Sequence, residues 1–368
     1  MDSIKTLNSI TDTLLQSPSA LSQSDRRQVL QACDRLRAFE SPADSITRLV
    51  FSAHQLMALR LGIDSKLFDA IAAHVDSVKA AERNPEQSSE SIPLNLSEIY
   101  ESSRADPLLI RRIVRFLVAM NVLHEVDQDH FISTPFAATL VSSSPFSAAV
   151  IHSTHFTTVL SRLPEYFHAN GWKCPDDGLN GPFQFALDTK GHYFDFLSST
   201  PYYGQAFDTV MSMPFRRRGR DWFDFYPVAN RLSVTNDSQT LLEYDFFQAQ
   251  PVRGAKAYFM RTVLHDWPDK QAKVILGRVR DAMSFDSVLL ISETLLPESG
   301  ALLPSVISDM QMMGSFASLE RTEYQWRVLL EDSGLELVHI WLPEGCDNAR
   351  SLAEQPALLE AKLKSQQC

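Results

Sequence analysis

The chain has 368 residues, of which 44% are hydrophobic and 21% charged, and its formal net charge is −11. Such a length buries a large core and suits more than one domain, while the acidic balance argues against a broad cationic footprint for nucleic acid. Four cysteines (Cys33, Cys174, Cys346 and Cys368) lie far apart without CxxC or histidine spacing, so free thiols in a reducing, cytoplasmic compartment are expected, with no disulfide framework and no metal.

Met1-Asp2-Ser3-Ile4 lacks the basic and apolar regions of a leader, and no apolar run reaches the roughly 18 residues of a membrane span. Ser24-Asp25 can cap a helix whose apolar positions are Val29, Leu30, Cys33 and Leu36. A denser helix follows Ser45, with Ile46, Leu49, Val50, Ala53, Leu56, Met57 and Leu61 on more than one face. Apolar residues over so much of a helix need a partner, and a second subunit is expected. The polar stretch from Lys79 to Glu90 reads as a loop. Next come a short helix at Leu96-Ser97-Glu98-Ile99, a turn at Ala105-Asp106-Pro107, and a helix from Leu108 to Met120 with Ile110, Ile113, Leu117 and Met120 inward. A hairpin then runs through Val122 to Val126, Asp127-Gln128-Asp129 and Phe131 to Ser133. This is the pattern of a winged helix-turn-helix. DNA binding would require a basic reading face, and only Arg111, Arg112 and Arg115 are available, so a structural or dimerising role is expected.

Residues 1–160 therefore read as a helical, winged-helix dimerisation domain. From 161 to 221 the chain is rich in aromatics and turn residues and reads as a connector forming a pocket wall. Phe207 and Met211, four apart in Tyr203 to Met211, share a helix face and suit either a substrate contact or core packing. Residues 222–368 read as a Rossmann-like α/β domain. Strands are expected at Thr240 to Tyr244, Ala255 to Met260, Val288 to Ser292 and, closing the sheet, Leu335 to Ile340; helices are expected at Asp269 to Met283 and Trp326 to Ser333. Ligands of parallel sheets bind at the carboxyl ends of strands, where Asp245, His265 and Glu293 fall. Met310, Met312, Met313 and Phe316 have helical spacing and could line a pocket or pack.

Six segments together carry a resemblance: Ala105 to Arg112, Tyr203 to Phe207, Arg218 to Phe223, Tyr244 to Phe247, Leu264-His265-Asp266-Trp267-Pro268-Asp269, and Glu320-Arg321-Thr322. With these the chain resembles the fungal branch of the plant-type, cation-independent O-methyltransferases that use S-adenosylmethionine. The resemblance implies a homodimer acting on an aromatic or polyketide hydroxyl in secondary metabolism. It implies that His265 is the general base, that Glu293 and Glu320 flank its ring, and that Asp266 lies near the substrate. Asp245 and Phe246 would lie near the adenine, and Arg261 on the cofactor's far side. A neutral imidazole beside carboxylates suits the removal of a phenolic proton.

The chain departs from the family at one place. No glycine occurs between Gly219 and Gly254, and no G-x-G occurs anywhere. Arg231 to Gln239 runs almost directly into the strand expected at Thr240, so a strand-helix-strand unit on the order of 30 residues, with its glycine-rich cofactor loop, is expected to be missing and the sheet truncated at its centre. Three readings follow: an O-methyltransferase, a cofactor-independent relative performing a pericyclic, dehydration or isomerisation reaction, and a non-catalytic regulator.

Overall fold

The computed structural model describes residues 5–11, 22–81, 93–103, 105–213, 221–232, 243–343 and 357–364. Two units divide the chain, Met1–Ala58 and Leu59–Cys368. Helix α1 (Gln23–Leu36) is followed by α2 (Pro42–Val50), which Ser41 caps by accepting the Asp44 N–H, with Pro42 in the first turn. The single helix expected after Ser45 is instead two. The chain breaks at Phe51, where the Ser52 hydroxyl donates to the Leu49 carbonyl at the end of α2, and α3 (Ser52–Asp64) begins anew. Ile46 (61% exposed) and Leu49 (63%), for which a second subunit is the expected cover, point into solvent in the single chain, as does Phe39 (86%).

Helix α4 (Leu67–Ala81) buries Leu67, Phe68 and Ile71. A two-residue strand β1 (Leu94–Asn95) leads into α5 (Leu96–Ser103) and α6 (Pro107–Ala119). Asp106 caps α6 through the Leu109 N–H at 3.0 Å, and Ile110, Ile113, Val114 and Leu117 form its buried stripe. The hairpin β2 (Leu123–Asp127) and β3 (His130–Ser133) follows, and β1 pairs with the other side of β3, all antiparallel. Arg111 forms an ion pair with Asp129 of the hairpin tip.

The long α7 (Pro145–Ala169) gathers α8 (Pro182–Leu187), α9 (Tyr193–Ser199) and α10 (Pro201–Ser212) around an aromatic core of Phe156, Phe183, Tyr193 and Phe316. The second core surrounds a four-stranded sheet of β4 (Ala257–Arg261), β5 (Val288–Glu293), β6 (Leu335–Trp341) and β7 (Ala357–Leu363), with α11 (Asp269–Arg280), α12 (Leu303–Phe316) and α13 (Glu323–Asp332) between the strands. The order is β4-β5-β7-β6, and only β4 and β5 run parallel. The wholly parallel sheet expected is therefore corrected. Leu335 to Ile340 does stand at the edge of the sheet, as β6, but β7 inserts between it and β5 and runs antiparallel to both. Residues 240–242 of the strand expected at Thr240 lie outside the described residues, and Glu243 and Tyr244 are not in a strand. Among the described residues β4 is an edge.

Candidate active site

The site forms where β4 and β5 end together. Thr262, just past β4, takes a positive φ of 48°, an unusual conformation for a β-branched residue, while its N–H donates to the Ser292 carbonyl at 3.1 Å. That bend turns the chain into a short 3₁₀ turn at Leu264–Asp266, which presents His265. Glu293, the last residue of β5, is fully buried, and its Oε1 accepts the Val263 and Leu264 N–H groups, both at 3.0 Å. The sheet thus fixes the backbone on either side of the histidine.

Glu320 comes from the other direction. Helix α12 ends in a left-handed residue, Ala317 (φ 54°), and the returning chain places Glu320 with its N–H on Asp309 Oδ1 at 2.9 Å and its Oε1 accepting the Ser308 hydroxyl at 2.8 Å. The same Oε1 lies 3.3 Å from His265 Nδ1, and Glu293 Oε2 lies 3.9 Å from it; His265 Nε2 is 3.5 Å from Asp266 Oδ1. Arg321, with a fully buried side chain, holds the turn closed by donating to the Leu264 carbonyl at 2.8 Å, the Trp267 carbonyl at 2.9 Å and Asp269 Oδ1 at 2.8 Å.

Both nitrogens of His265 therefore face carboxylate oxygens. Burial works against a charged ring, but Glu293, the hydrogen bond to Glu320, and Asp266 outweigh it and hold the imidazole up at about 10. The ring rests as an imidazolium. Burial pushes the carboxyl of Glu293 upward, and the imidazolium opposes that shift. Burial likewise raises Asp309 behind Glu320.

The other expected residues divide into two groups. Phe207, Met312 and Phe316 meet in the aromatic core, where Phe207 lies edge-on to Tyr193 at 6.2 Å and Phe316 edge-on to Tyr193 at 5.3 Å. Met313 is half-buried, Met211 and Met310 are exposed. Phe246 packs beside Trp267 at 6.1 Å, which brings it near the histidine turn. Asp245 and Arg261 are exposed, and Asp245 spends its carboxylate on its own turn, accepting the Phe247 N–H at 2.9 Å. Ser308, Asp309 and Arg321 carry no role expected from the sequence; for Arg321, its place in Glu320-Arg321-Thr322 was the available signal. Among the described residues no group of three His, Cys, Asp or Glu side chains could hold a metal, and no helix is long and apolar enough to cross a membrane.

A family model described as an O-methyltransferase domain matches residues 228–336. The O-methyltransferase mfmE of Annulohypoxylon moriforme is 31% identical, across 92% of this chain and 91% of that protein. The chain belongs to the O-methyltransferase family. Two solved structures share the fold of this O-methyltransferase-family chain at a TM-score of 0.74: one titled a pericyclic reaction enzyme, 21% identical over 98% of this chain and all of its own, and OxaC in complex with SAH and oxaline, 22% identical over 99% of this chain and 100% of its own.

Proposed function

We propose that the chain is an enzyme of fungal secondary metabolism that acts on a hydroxyl group of an aromatic or polyketide small molecule, with His265 moving the hydroxyl proton. The observation that carries this reading is the imidazole held between Glu320 at 3.3 Å and Glu293 at 3.9 Å on Nδ1, with Asp266 at 3.5 Å beside Nε2. Glu293 and Glu320 fix the ring and balance its charge, and Asp266 lies next to the substrate. A phenol of pKa near 10 and a ring at about 10 share a proton almost evenly. Phe207, Met211, Met312, Met313 and Phe316 form the substrate wall. In this reading residues 1–160 are the winged-helix dimerisation domain of a homodimer, 161–221 the pocket wall and 222–368 the catalytic domain.

S-adenosylmethionine is the cofactor the family implies, and Asp245, Phe246 and Arg261 are the residues that would hold it. The described residues do not fit it. Asp245 is committed to its own turn, Arg261 is an exposed strand end, and Gly254 and Gly300 each stand alone in open space at positive φ instead of forming a cradle. A missing unit is supported by the match to mfmE, whose 388 aligned positions exceed the 92% of this chain they span by on the order of fifty, the size of a strand-helix-strand unit with its connections.

The resting imidazolium favours a second, cofactor-independent reading, in which the same ring donates a hydrogen bond or proton to a substrate oxygen during a cyclisation, dehydration or isomerisation. The two are told apart by pH: the rate rises toward about pH 10 if His265 is the base and falls through that range if it is the acid. The test of both is the metabolite profile of the producing strain carrying His265→Ala. It should match that of a strain lacking the gene, and an unchanged wild-type profile would remove His265 from the chemistry.

A further inference from the structure

We propose that His192 is a substrate-recognition residue whose Nε2–H hydrogen-bonds an oxygen acceptor, of carbonyl type, on the planar ring system of the substrate. The proposal rests on the aromatic or polyketide reading above and assigns the feature of that substrate which lies away from the reacting hydroxyl.

His192 precedes α9 and is only 6% exposed. Its ring stacks on Trp267 at 4.5 Å and 12°, with Phe194 at 5.3 Å and Phe316 at 5.6 Å around it. Nδ1 accepts the Phe194 N–H at 3.4 Å and caps the helix. In a neutral ring the single proton then sits on Nε2. Nε2 is buried and has no hydrogen-bond partner among the described residues. Burial lowers the ring's proton affinity, in agreement with the neutral form.

A buried donor without an acceptor costs free energy that folding alone does not explain. Helix capping does not account for it, because serine, threonine, aspartate or asparagine would cap α9 without burying a second polar atom. The surroundings identify the acceptor's carrier. Trp267 lies two residues beyond His265, and Phe316 ends α12, whose Ser308 bonds Glu320. The aromatic wall continues from Phe194 to Phe207 at 6.0 Å and from Phe207 to Tyr193 at 6.2 Å. Flat apolar faces around one unpaired N–H suit a planar conjugated molecule bearing a carbonyl oxygen.

The test uses two probes of the same shape, a hydroxyfluorenone and the hydroxyfluorene lacking its carbonyl, titrated against the full chain. The wild type should bind the ketone about tenfold more tightly, a difference of roughly 1.4 kcal/mol. Two variants separate recognition from capping. His192→Asn keeps an acceptor at the position of Nδ1 but has no donor at Nε2, so it should lower the melting temperature only by the lost packing on Trp267 and lose the ketone preference. His192→Gln places its amide near Nε2 and gives up the cap as well as the ring packing, so it should lower the melting temperature further than His192→Asn does and keep the preference. Equal binding of both probes to the wild type, or an undiminished preference in His192→Asn, overturns the assignment. If neither probe binds the wild type, the aromatic-substrate reading fails first and the role of His192 falls with it.

Discussion

At the scale of single residues, His265 makes stability depend on pH. Its imidazole is at about 10 in the folded chain against an ordinary 6.5, so the folded state binds the proton more tightly than the unfolded state. The resulting stabilisation is fully present below about pH 6.5 and is lost as pH rises through about 10. Urea unfolding at pH 6, 8 and 10 should show the wild type losing on the order of a few kcal/mol over that range. His265→Gln should be less stable at pH 6 and nearly flat above it; parallel slopes in the two proteins would contradict the imidazolium assignment. That His265, Glu293 and Glu320 come together was legible in the sequence because His265 and Glu293 fall at or just past strand ends and His265 and Glu320 sit in recognisable local motifs. His192 and Ser308 were not, because what defines them is contact with Trp267 and Glu320, far away in the chain.

At the scale of elements, the histidine turn is shaped by both neighbours in sequence and a distant clamp. Arg321 reaches back 57 positions to the Leu264 carbonyl and 52 to Asp269, and no local pattern announces such a reach. Arg321→Met should cost about 2–4 kcal/mol in urea unfolding, since it leaves buried carbonyls unpaired. Arg321→Lys should recover little, because one ammonium cannot span the same acceptors. Full recovery by lysine would show that charge alone, without the fork geometry, holds the turn. Strands β4, β5 and β6 were readable to within a few residues from apolar runs bounded by turns. Strand β7 was missed: Ala357, Leu358, Leu359, Glu360 and Ala361 are all buried, so the strand shows no alternation, and its buried Glu360 interrupts the apolar run. Strand direction left no local trace, which is why the sheet was expected to be parallel throughout.

At the scale of the whole molecule, two surfaces bear on what the chain does. The first is the exposed apolar surface at the amino-terminal end, to which Leu30 at 64%, Phe39 at 86%, Ile46 at 61% and Leu49 at 63% exposure contribute from three successive helices. A single chain gains nothing from such a surface, and the proposed homodimer would cover it. Sedimentation at micromolar concentration should give twice the mass of 41.5 kDa, and Ile46→Glu with Leu49→Glu should return the monomer. A wild-type monomer at those concentrations would contradict the dimer. The second is the edge that β4 presents among the described residues, beside which those residues hold no glycine cradle for the cofactor the family implies. Isothermal titration of the full chain with S-adenosylmethionine measures this most directly. No saturable heat should be seen up to millimolar ligand, whereas binding with a micromolar Kd would contradict the proposed loss of the cofactor site and restore methyl transfer as the reaction.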